Sequence, residues 1–318
     1  MQLYIQKRLL ASVPTLIGIS LLIFIAMRVL PGDPVSFTYS EGAGLHILTD
    51  EQKQAARASL GLDRPYHEQY LSWMGSVLRG DLGTSFWRGE KTIDLIARRG
   101  PITAQIAVMA VLLAWLIGVP AGLLSAIKRN SALDYVARVV VTFFMAVPSF
   151  WLGLMVVLAG VLLFTWRPPL AIAYLWDDPL GNLQITVGPA IAMGVGLAAV
   201  LARFTRSASL EALGEDYVRT ARAKGLRERM VVLRHVFKNS LLPIITVSGL
   251  ALGGLLGGSV AVERAFGVPG LGLALVFALS ERDWNVIQNL VLLYGVIFTL
   301  VNLAIDVSYA WFDPRIRY

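Results

Sequence analysis

The chain has 318 residues, of which 56% are hydrophobic and 15% charged, and its formal net charge is +7. Soluble domains hold about 45–50% apolar and about 25% charged residues, so this composition is typical of a membrane protein. The lack of cysteine excludes disulfide frameworks, zinc–thiolate sites and thiol nucleophiles, and the three histidines (His46, His67 and His235) match no metal-ligand spacing.

Six stretches contain no Asp, Glu, Lys or Arg and are long enough to cross about 30 Å of hydrocarbon, which takes about 20 helical residues. They cover residues 9–27, 101–127, 139–166, 179–202, 239–262 and 284–305. A central charge costs about 2.5–3.5 kcal/mol in a span, so these stretches predict an all-α polytopic membrane protein with six transmembrane helices. Buried helices of a soluble protein are the alternative, but such helices are usually shorter and interrupted by charge.

The first stretch could also be a cleaved signal peptide, because Lys7 and Arg8 precede it. Its charge-free core is longer than the usual apolar region of about 7–15 residues, and Ala26-Met27-Arg28 is a poor cleavage site. We therefore expect residues 1–30 to form the N-terminus and a retained first transmembrane helix.

Residues 31–100 are predicted to form a small helical domain outside the membrane. Thr49 and Gln52 have the spacing of a capping box, Gly61 is placed to end that helix, and Pro65 can begin a second one. The second helix carries a stripe of large side chains at Tyr66, Tyr70, Trp73 and Val77. Packing onto the ends of the spans is the simpler interpretation of this stripe, and docking of an external partner is the alternative.

The segment 203–240 lies between the predicted spans of 101–202 and those of 241–318. Its nine basic residues are Arg203, Arg206, Arg219, Arg222, Lys224, Arg227, Arg229, Arg234 and Lys238. Four acids in the same segment leave a local net charge of +5. A basic segment between two apolar stretches is typical of a cytoplasmic membrane loop rather than of a nucleic-acid surface.

Two helices are predicted inside this loop. The first is compatible with residues 216–224, carries the small side chains of Ala221 and Ala223, and ends at Gly225. The second has one apolar face formed by Met230, Leu233, Val236 and Phe237. Backbones approach closely where side chains are small, so the first helix could seat in a groove of another protein; a solvated basic loop is the alternative.

A seventh uncharged stretch, residues 265–280, is too short to span and is interrupted by glycine and proline. We expect a turn and then a short helix that dips back toward the membrane. Six spans place both termini on one side, where sixteen basic residues lie in short segments against four (Arg28, Arg167, Arg264 and Arg282) on the other. The positive-inside rule then predicts cytoplasmic termini.

The chain lacks a phosphate-binding loop, a nucleophile elbow and any paired acid and base, so no ATP hydrolysis is expected on it. The six stretches also lack the acid or histidine that couples ions to transport. Uncharged polar residues within them, such as Thr103, Asn289 and Asn302, more often bond another helix than a substrate. Our candidates for lining a path across the membrane are Gln105, Ser149, Trp151 and Glu263.

A series of motifs follows in order along the chain. They are LPGDP at 30–34, LGLDRP at 60–65, GDLGTS at 80–85, PSFW at 148–151, EDYVRTARAKGL at 215–226, FGVPGLG at 266–272, RDW at 282–284 and DPRIR at 313–317. Together they resemble the permease subunits of peptide/nickel-type ABC importers, in the dipeptide and oligopeptide permease branch. The resemblance covers nearly the whole chain and implies the type I ABC importer permease fold.

The resemblance also implies that the helix in the basic loop is a coupling helix that docks on an ATPase subunit. Its contact residues would be Glu215, Asp216, Tyr217, Arg219, Thr220, Ala221, Arg222, Ala223, Lys224 and Gly225. The Glu-Ala-Ala of the general importer motif falls here on Arg219-Thr220-Ala221. We therefore expect the contact to rest on small-residue packing by Ala221 and on the turn at Gly225, not on an acid.

The implied partners are a homologous second permease, one or two ATPase subunits that carry ATP and Mg²⁺, an extracytoplasmic solute-binding protein and the lipid bilayer. No cofactor on this chain and no nucleic acid are expected, and the location is the bacterial cytoplasmic (inner) membrane. Dipeptides, longer peptides, glutathione, nickel chelates and oligosaccharides remain open as substrates. The alternative functions are a stand-alone ion-coupled transporter or channel, which needs an intramembrane charge and an inverted repeat, and a polytopic membrane enzyme.

Overall fold

The computed structural model describes residues 2–29, 49–169 and 171–312. Its helices are α1 Gln2–Val29, α2 Asp50–Ser59, α3 Tyr66–Leu78, α4 Thr92–Ile127, α5 Ala132–Ala146, α6 Ser149–Phe164, α7 Pro179–Gly214, α8 Asp216–Ala223, α9 Glu228–Met230, α10 Lys238–Phe266, α11 Leu271–Ser280 and α12 Trp284–Phe312, with a π-helical segment Val231–Phe237 between α9 and α10. No strand forms in these residues, which confirms the predicted all-α class. The motifs at 30–34 and 313–317 lie outside the described residues.

Five helices in the described ranges are each long and apolar enough to cross a membrane: α1, α4, α7, α12 and the continuous helix that contains α10. The third predicted stretch, 139–166, is not one straight helix, because α5 and α6 meet at 96°. Pro148 lies at the break, and Val147 before it is extended (φ −84°, ψ 123°). A proline disfavours helical backbone in the preceding residue and offers no N–H, which accounts for the bend.

Contacts between α4 and α7 show that these two helices run parallel. Near their starts, Gln105 Nε2 donates to Asn182 Oδ1 at 2.6 Å, and near their ends Arg206 Nε donates to Ser125 Oγ at 3.1 Å. The chain leaves α4 at one end of the bundle and enters α7 at the other. The bent pair α5–α6 between them therefore makes one crossing.

The remaining helices alternate in direction. Thr103 in α4 bonds Glu263 in α10, and Trp115 bonds Ser248, so α4 and α10 are antiparallel. The short helix α11 follows an 87° bend after α10 and makes no further crossing, since α12 starts beside it and runs back along α10. The described helices thus make six crossings, and the turn and short helix predicted for 265–280 are confirmed.

The first and last helices share one end of the bundle. Arg8 Nε in α1 lies 3.1 Å from Asp306 Oδ2 in α12. We call this the loop end, defined by residues 128–131 and 214–240, and we call the opposite end, with α2 and α3, the domain end. In the described helices, the start of α1 and the end of α12 therefore lie at the same end of the bundle as the basic loop, as predicted.

At the domain end, α3 contacts α1 and α12. The hydroxyls of Ser20 and Tyr70 are 2.8 Å apart, and Trp73 Nε1 donates to Asn289 Oδ1 at 3.2 Å. The predicted stripe therefore packs onto the spans through Tyr70 and Trp73. The capping box at Thr49 is also confirmed, since its backbone N–H donates to Gln52 Oε1 at 3.0 Å.

Candidate coupling surface and buried polar sites

Helix α8 is held between two backbone breaks. Glu215 is extended (φ −74°, ψ 149°) and separates it from α7. At its other end Gly225 has φ +76°, its N–H donates to the carbonyl of Arg222 at 2.9 Å, and the N–H of Leu226 reaches the carbonyl of Ala221 at 3.3 Å. This is a Schellman ending, in which a left-handed glycine lets the last carbonyls find partners. The predicted stop at Gly225 is confirmed.

The inner face of α8 is anchored in the chain's own core. Val218 is fully buried and Ala221 is 5% exposed, and both pack with Ala212, Val231 and Val236. Within this chain the Ala221 side chain therefore packs against the π-helical segment, and its contact with an ATPase subunit stays a prediction. The small side chain at 221 allows α8 to approach that segment closely. We call the cluster of Ala212, Val218, Ala221, Val231 and Val236 the anchor cluster.

The outer face of α8 is polar and exposed. It comprises Asp216, Tyr217, Arg219, Thr220, Ala223 and Lys224, flanked by Glu215 and Gly225. Arg219 Nη1 lies 3.2 Å from Asp216 Oδ1, one turn away on the same face. Exposed pairs of this kind contribute at most about 1 kcal/mol, so a partner could displace them at little cost.

Arg222 ties α8 to α9. Its Nη2 and Nε donate to the two carboxylate oxygens of Glu228 at 2.7 and 3.1 Å. The hydrogen bond with Glu228 raises the pKa of the Arg222 guanidinium above its ordinary value. Because α9 continues through the π-helical segment into α10, the anchor cluster and this ion pair join α8 to a membrane-spanning helix.

Gln105, a predicted path residue, is bonded within the bundle. Its amide exchanges two hydrogen bonds with that of Asn182, at 2.6 and 3.0 Å, and Asn182 is fully buried. Asn182 also donates to the carbonyl of Ala173 at 2.9 Å. The side chain therefore joins α4 to α7, as uncharged polar residues in membrane helices commonly do.

Glu263, another predicted path residue, is fully buried, and its hydrogen bonds hold the turn between α10 and α11 in place. Thr103 Oγ1 donates to its Oε1 at 2.8 Å, and the N–H of Leu273 donates to its Oε2 at 3.0 Å. Leu273 lies in the first turn of α11, where free N–H groups and the helix dipole favour a negative charge. The carboxylate is thus bonded inside the bundle, and a role in the path stays a prediction. The carboxylate pins the start of α11 against α4 and α10.

Sequence reasoning missed this role, although one signal was available. A Cβ at Gly270 would overlap Glu263 Oε2, and one at Gly272 would lie 2.9 Å from the same atom. Gly270 and Gly272 follow the acid Glu263 closely in the sequence, and both allow the backbone to approach its carboxylate. Ser149 and Trp151, the other two path candidates, lie in the first turn of α6 at the bend, where Trp151 is exposed.

Comparison with known proteins decides the family. Residues 118–318 match the family described as binding-protein-dependent transport system inner membrane component, and residues 1–107 match its N-terminal model. The chain belongs to this family. The permease is 37% identical over 315 residues to the glutathione transport system permease protein GsiC of Escherichia coli O6:H1, with 99% of each chain covered. GsiC of Escherichia coli K12 is 36% identical over the same share.

A solved structure supports the predicted fold. The permease matches a chain of the inward-facing MetNI methionine ABC transporter with a TM-score of 0.57 and 20% identity, over 70% of this chain and 97% of that one. The chain is thus the transmembrane permease subunit of a binding-protein-dependent ABC transporter, a multi-pass inner-membrane protein. The family is one of transport subunits, which favours this function over a stand-alone ion-coupled transporter and over a membrane enzyme.

The buried carboxylate of the permease allows a direct test. Glu263→Gln replaces one acceptor oxygen with a donor that faces the Leu273 N–H or the Thr103 hydroxyl. A buried donor left without an acceptor costs about 1–3 kcal/mol, so we expect a lower thermal unfolding midpoint in detergent. Glu211→Gln, at an exposed position of α7, is the matched control and should leave the midpoint unchanged. A changed KM for substrate with an unaltered midpoint would instead support Glu263 as a path residue.

Proposed function

We propose that the permease couples a partner ATPase to its transport path through the outer face of α8, and that the loop end is cytoplasmic. The observation that carries this is the division of α8 into two faces. The outer face is exposed and polar, while Val218 and Ala221 hold the inner face in the anchor cluster. The outer face of α8 is therefore free to bind a partner, and its inner face is held by the chain's own core. This arrangement suits a helix on which a partner exerts force.

The direction of transmission follows from the connections of α8. A displacement of its outer face is passed through the anchor cluster and through the pair Arg222–Glu228 to α9, the π-helical segment and α10. π-helical turns are rare and occur frequently at functional sites. ATP binding by a partner can shift the permease only through a contact that differs between its two states, and the outer face of α8 supplies that contact.

The proposed partners follow from the family. They are a homologous second permease, one or two ATPase subunits with ATP and Mg²⁺, and an extracytoplasmic solute-binding protein that docks at the domain end. Hydrolysis takes place on the ATPase, and the permease itself carries no cofactor. The proposed substrates are peptides, including small ones such as glutathione, because the GsiC relatives named for glutathione transport align over 99% of the chain.

Site-directed photo-crosslinking tests the docking proposal, since the native chain has no cysteine. A benzophenone maleimide on Thr220→Cys, illuminated in native membranes, should join the permease to a protein that contains a phosphate-binding loop. Labelling should occur from the cytoplasmic face only, in inside-out vesicles. Ala221→Cys, one residue away on the inner face, is the matched control and should react slowly and form no such adduct. Equal adducts from both positions, or none from Thr220→Cys, contradict the proposal.

A further inference from the structure

A cavity of about 350 Å³ opens between α4, α5 and α7 at the loop end. Its lining includes Gly122, Ser125, Arg138, Thr142, Arg203 and Arg206. Three arginines therefore meet in one cavity between membrane-spanning helices. Among the described residues that line it there is no acid. This site is independent of α8 and of its coupling role, and the inference rests on the loop end being cytoplasmic, as proposed above.

The charge of Arg206, one of the three arginines, is balanced by the buried carboxylate of Asp134. Asp134, fully buried under the cavity, accepts Arg206 Nε at 2.8 Å and Arg206 Nη2 at 2.9 Å. Ser125 Oγ and the N–H of Asn130 also donate to this carboxylate, at 2.6 and 3.0 Å. Asp134 is thus fully bonded and holds the Arg206 guanidinium in a fixed position, with Nη1 left outside the pair.

The other two arginines retain free donors. Arg138 Nε is 3.8 Å from Asp134 Oδ1, and its guanidinium lies over the Tyr135 ring at 4.4 Å, which leaves its Nη groups available. Arg203 also lines the cavity, and its side chain is exposed. Three guanidiniums against one carboxylate leave two positive charges at the cavity. Guanidinium groups are well suited to bind phosphate oxygens in pairs.

The surface beside the cavity is hydrocarbon-like. Along α5, the side chains of Val136, Val139 and Phe143 are exposed, and Tyr135 lies one turn before Val139 near the charged end. A tyrosine at this level is typical of the membrane–water interface. Basic pockets between spans at the cytoplasmic side are the kind of site that holds anionic headgroups. We infer that the cavity binds the headgroup phosphate of an anionic phospholipid, whose acyl chains lie on this face of α5.

Native mass spectrometry of the full-length permease in neutral detergent tests the inference. The probe is short-chain phosphatidylglycerol, and the variant is Arg138→Gln/Arg203→Gln. An arginine near an anionic lipid is worth about a fivefold change in affinity, so the double variant should bind about 25-fold more weakly. Arg227→Gln/Arg229→Gln removes the same charge from the exposed start of α9 and should bind as the native chain does. Arg206 is left in place, because its loss would remove the charged hydrogen-bond partner of the buried Asp134 carboxylate.

Three outcomes would overturn the inference. One is undiminished phosphatidylglycerol binding by the double variant. Another is an equal loss in the control variant, which would indicate only a general effect of charge. The third is displacement of the lipid by inorganic phosphate at equal concentration, which would assign the cavity to a free anion. Short-chain phosphatidylcholine should bind weakly and alike to the native chain and to both variants.

Discussion

Gly118→Ala is expected to destabilise the permease severely, whereas Gly196→Ala leaves it folded. A Cβ at Gly118 in α4 would overlap the carbonyl oxygen of Ala198 in α7 and lie 3.0 Å from its Cα. The clash is with backbone, so no rotamer change relieves it, and the two helices must separate. Gly122 repeats the arrangement one turn later, where a Cβ would overlap the carbonyl oxygen of Ala202. Small residues at such an interface are what allow membrane helices to pack.

The control is matched in chemistry. Gly196 lies in α7, and a methyl group added to its Cα would have no atom within 4 Å, so alanine there adds no contact and improves helix propensity by about 1 kcal/mol. Overpacking at Gly118 should cost about 1–3 kcal/mol or more, since many α4–α7 contacts are lost together. The readout is the thermal midpoint and the monodisperse fraction in detergent. Equal midpoints for the two variants would show that the α4–α7 contact is looser than the structure has it.

Thr220→Arg is expected to abolish transport while the permease itself stays folded. Thr220 lies on the outer face of α8, and its hydroxyl bonds only the carbonyl of Asp216, at 3.0 Å. Arginine is a good helix former, so the helix should persist, but its length and charge obstruct a docking groove. We expect co-purification of the ATPase and substrate uptake each to fall by at least about tenfold, which corresponds to about 1.4 kcal/mol of lost contact.

Ala221→Arg separates docking from folding. The same side chain at the neighbouring position would enter the anchor cluster, where Val218, Val231 and Val236 are fully buried. An unpaired charge in an apolar cluster is costly, so this variant should lower the thermal midpoint and the amount of permease in the membrane. If Thr220→Arg also lowers the midpoint, or if it retains its ATPase, the assignment of the two faces of α8 is wrong.

Hydropathy predicted the six crossings because the cost of a charge in hydrocarbon is local and large. The one departure is the 96° bend between α5 and α6 at Pro148, which hydropathy did not predict. The short helix α8 was also predictable, because Gly225 offers the left-handed ending that stops it. Each of these features depends on residues within one or two turns of one another.

The predicted path residues show where such reasoning ends. By sequence, Gln105 and Glu263 are polar residues in or beside spans that could line a path. In the structure, Gln105 bonds Asn182, 77 residues away, and Glu263 bonds Thr103, 160 residues away. Polar side chains in an apolar region must find partners, but the sequence does not say which ones. Ala221 shows the same limit, because a small side chain suits close packing on either face of a helix.

Sequence alone therefore determined the membrane class, the six crossings, the shared end of the termini and the limits of α8, because burial in lipid and backbone conformation act on neighbouring residues. Only the tertiary structure decided which face of α8 is free, what Glu263 bonds, and that Arg138, Arg203 and Arg206 meet around one cavity. Those facts depend on helices far apart in the chain that pack side by side. Their relative rotation is set by the sum of many contacts rather than by any local pattern.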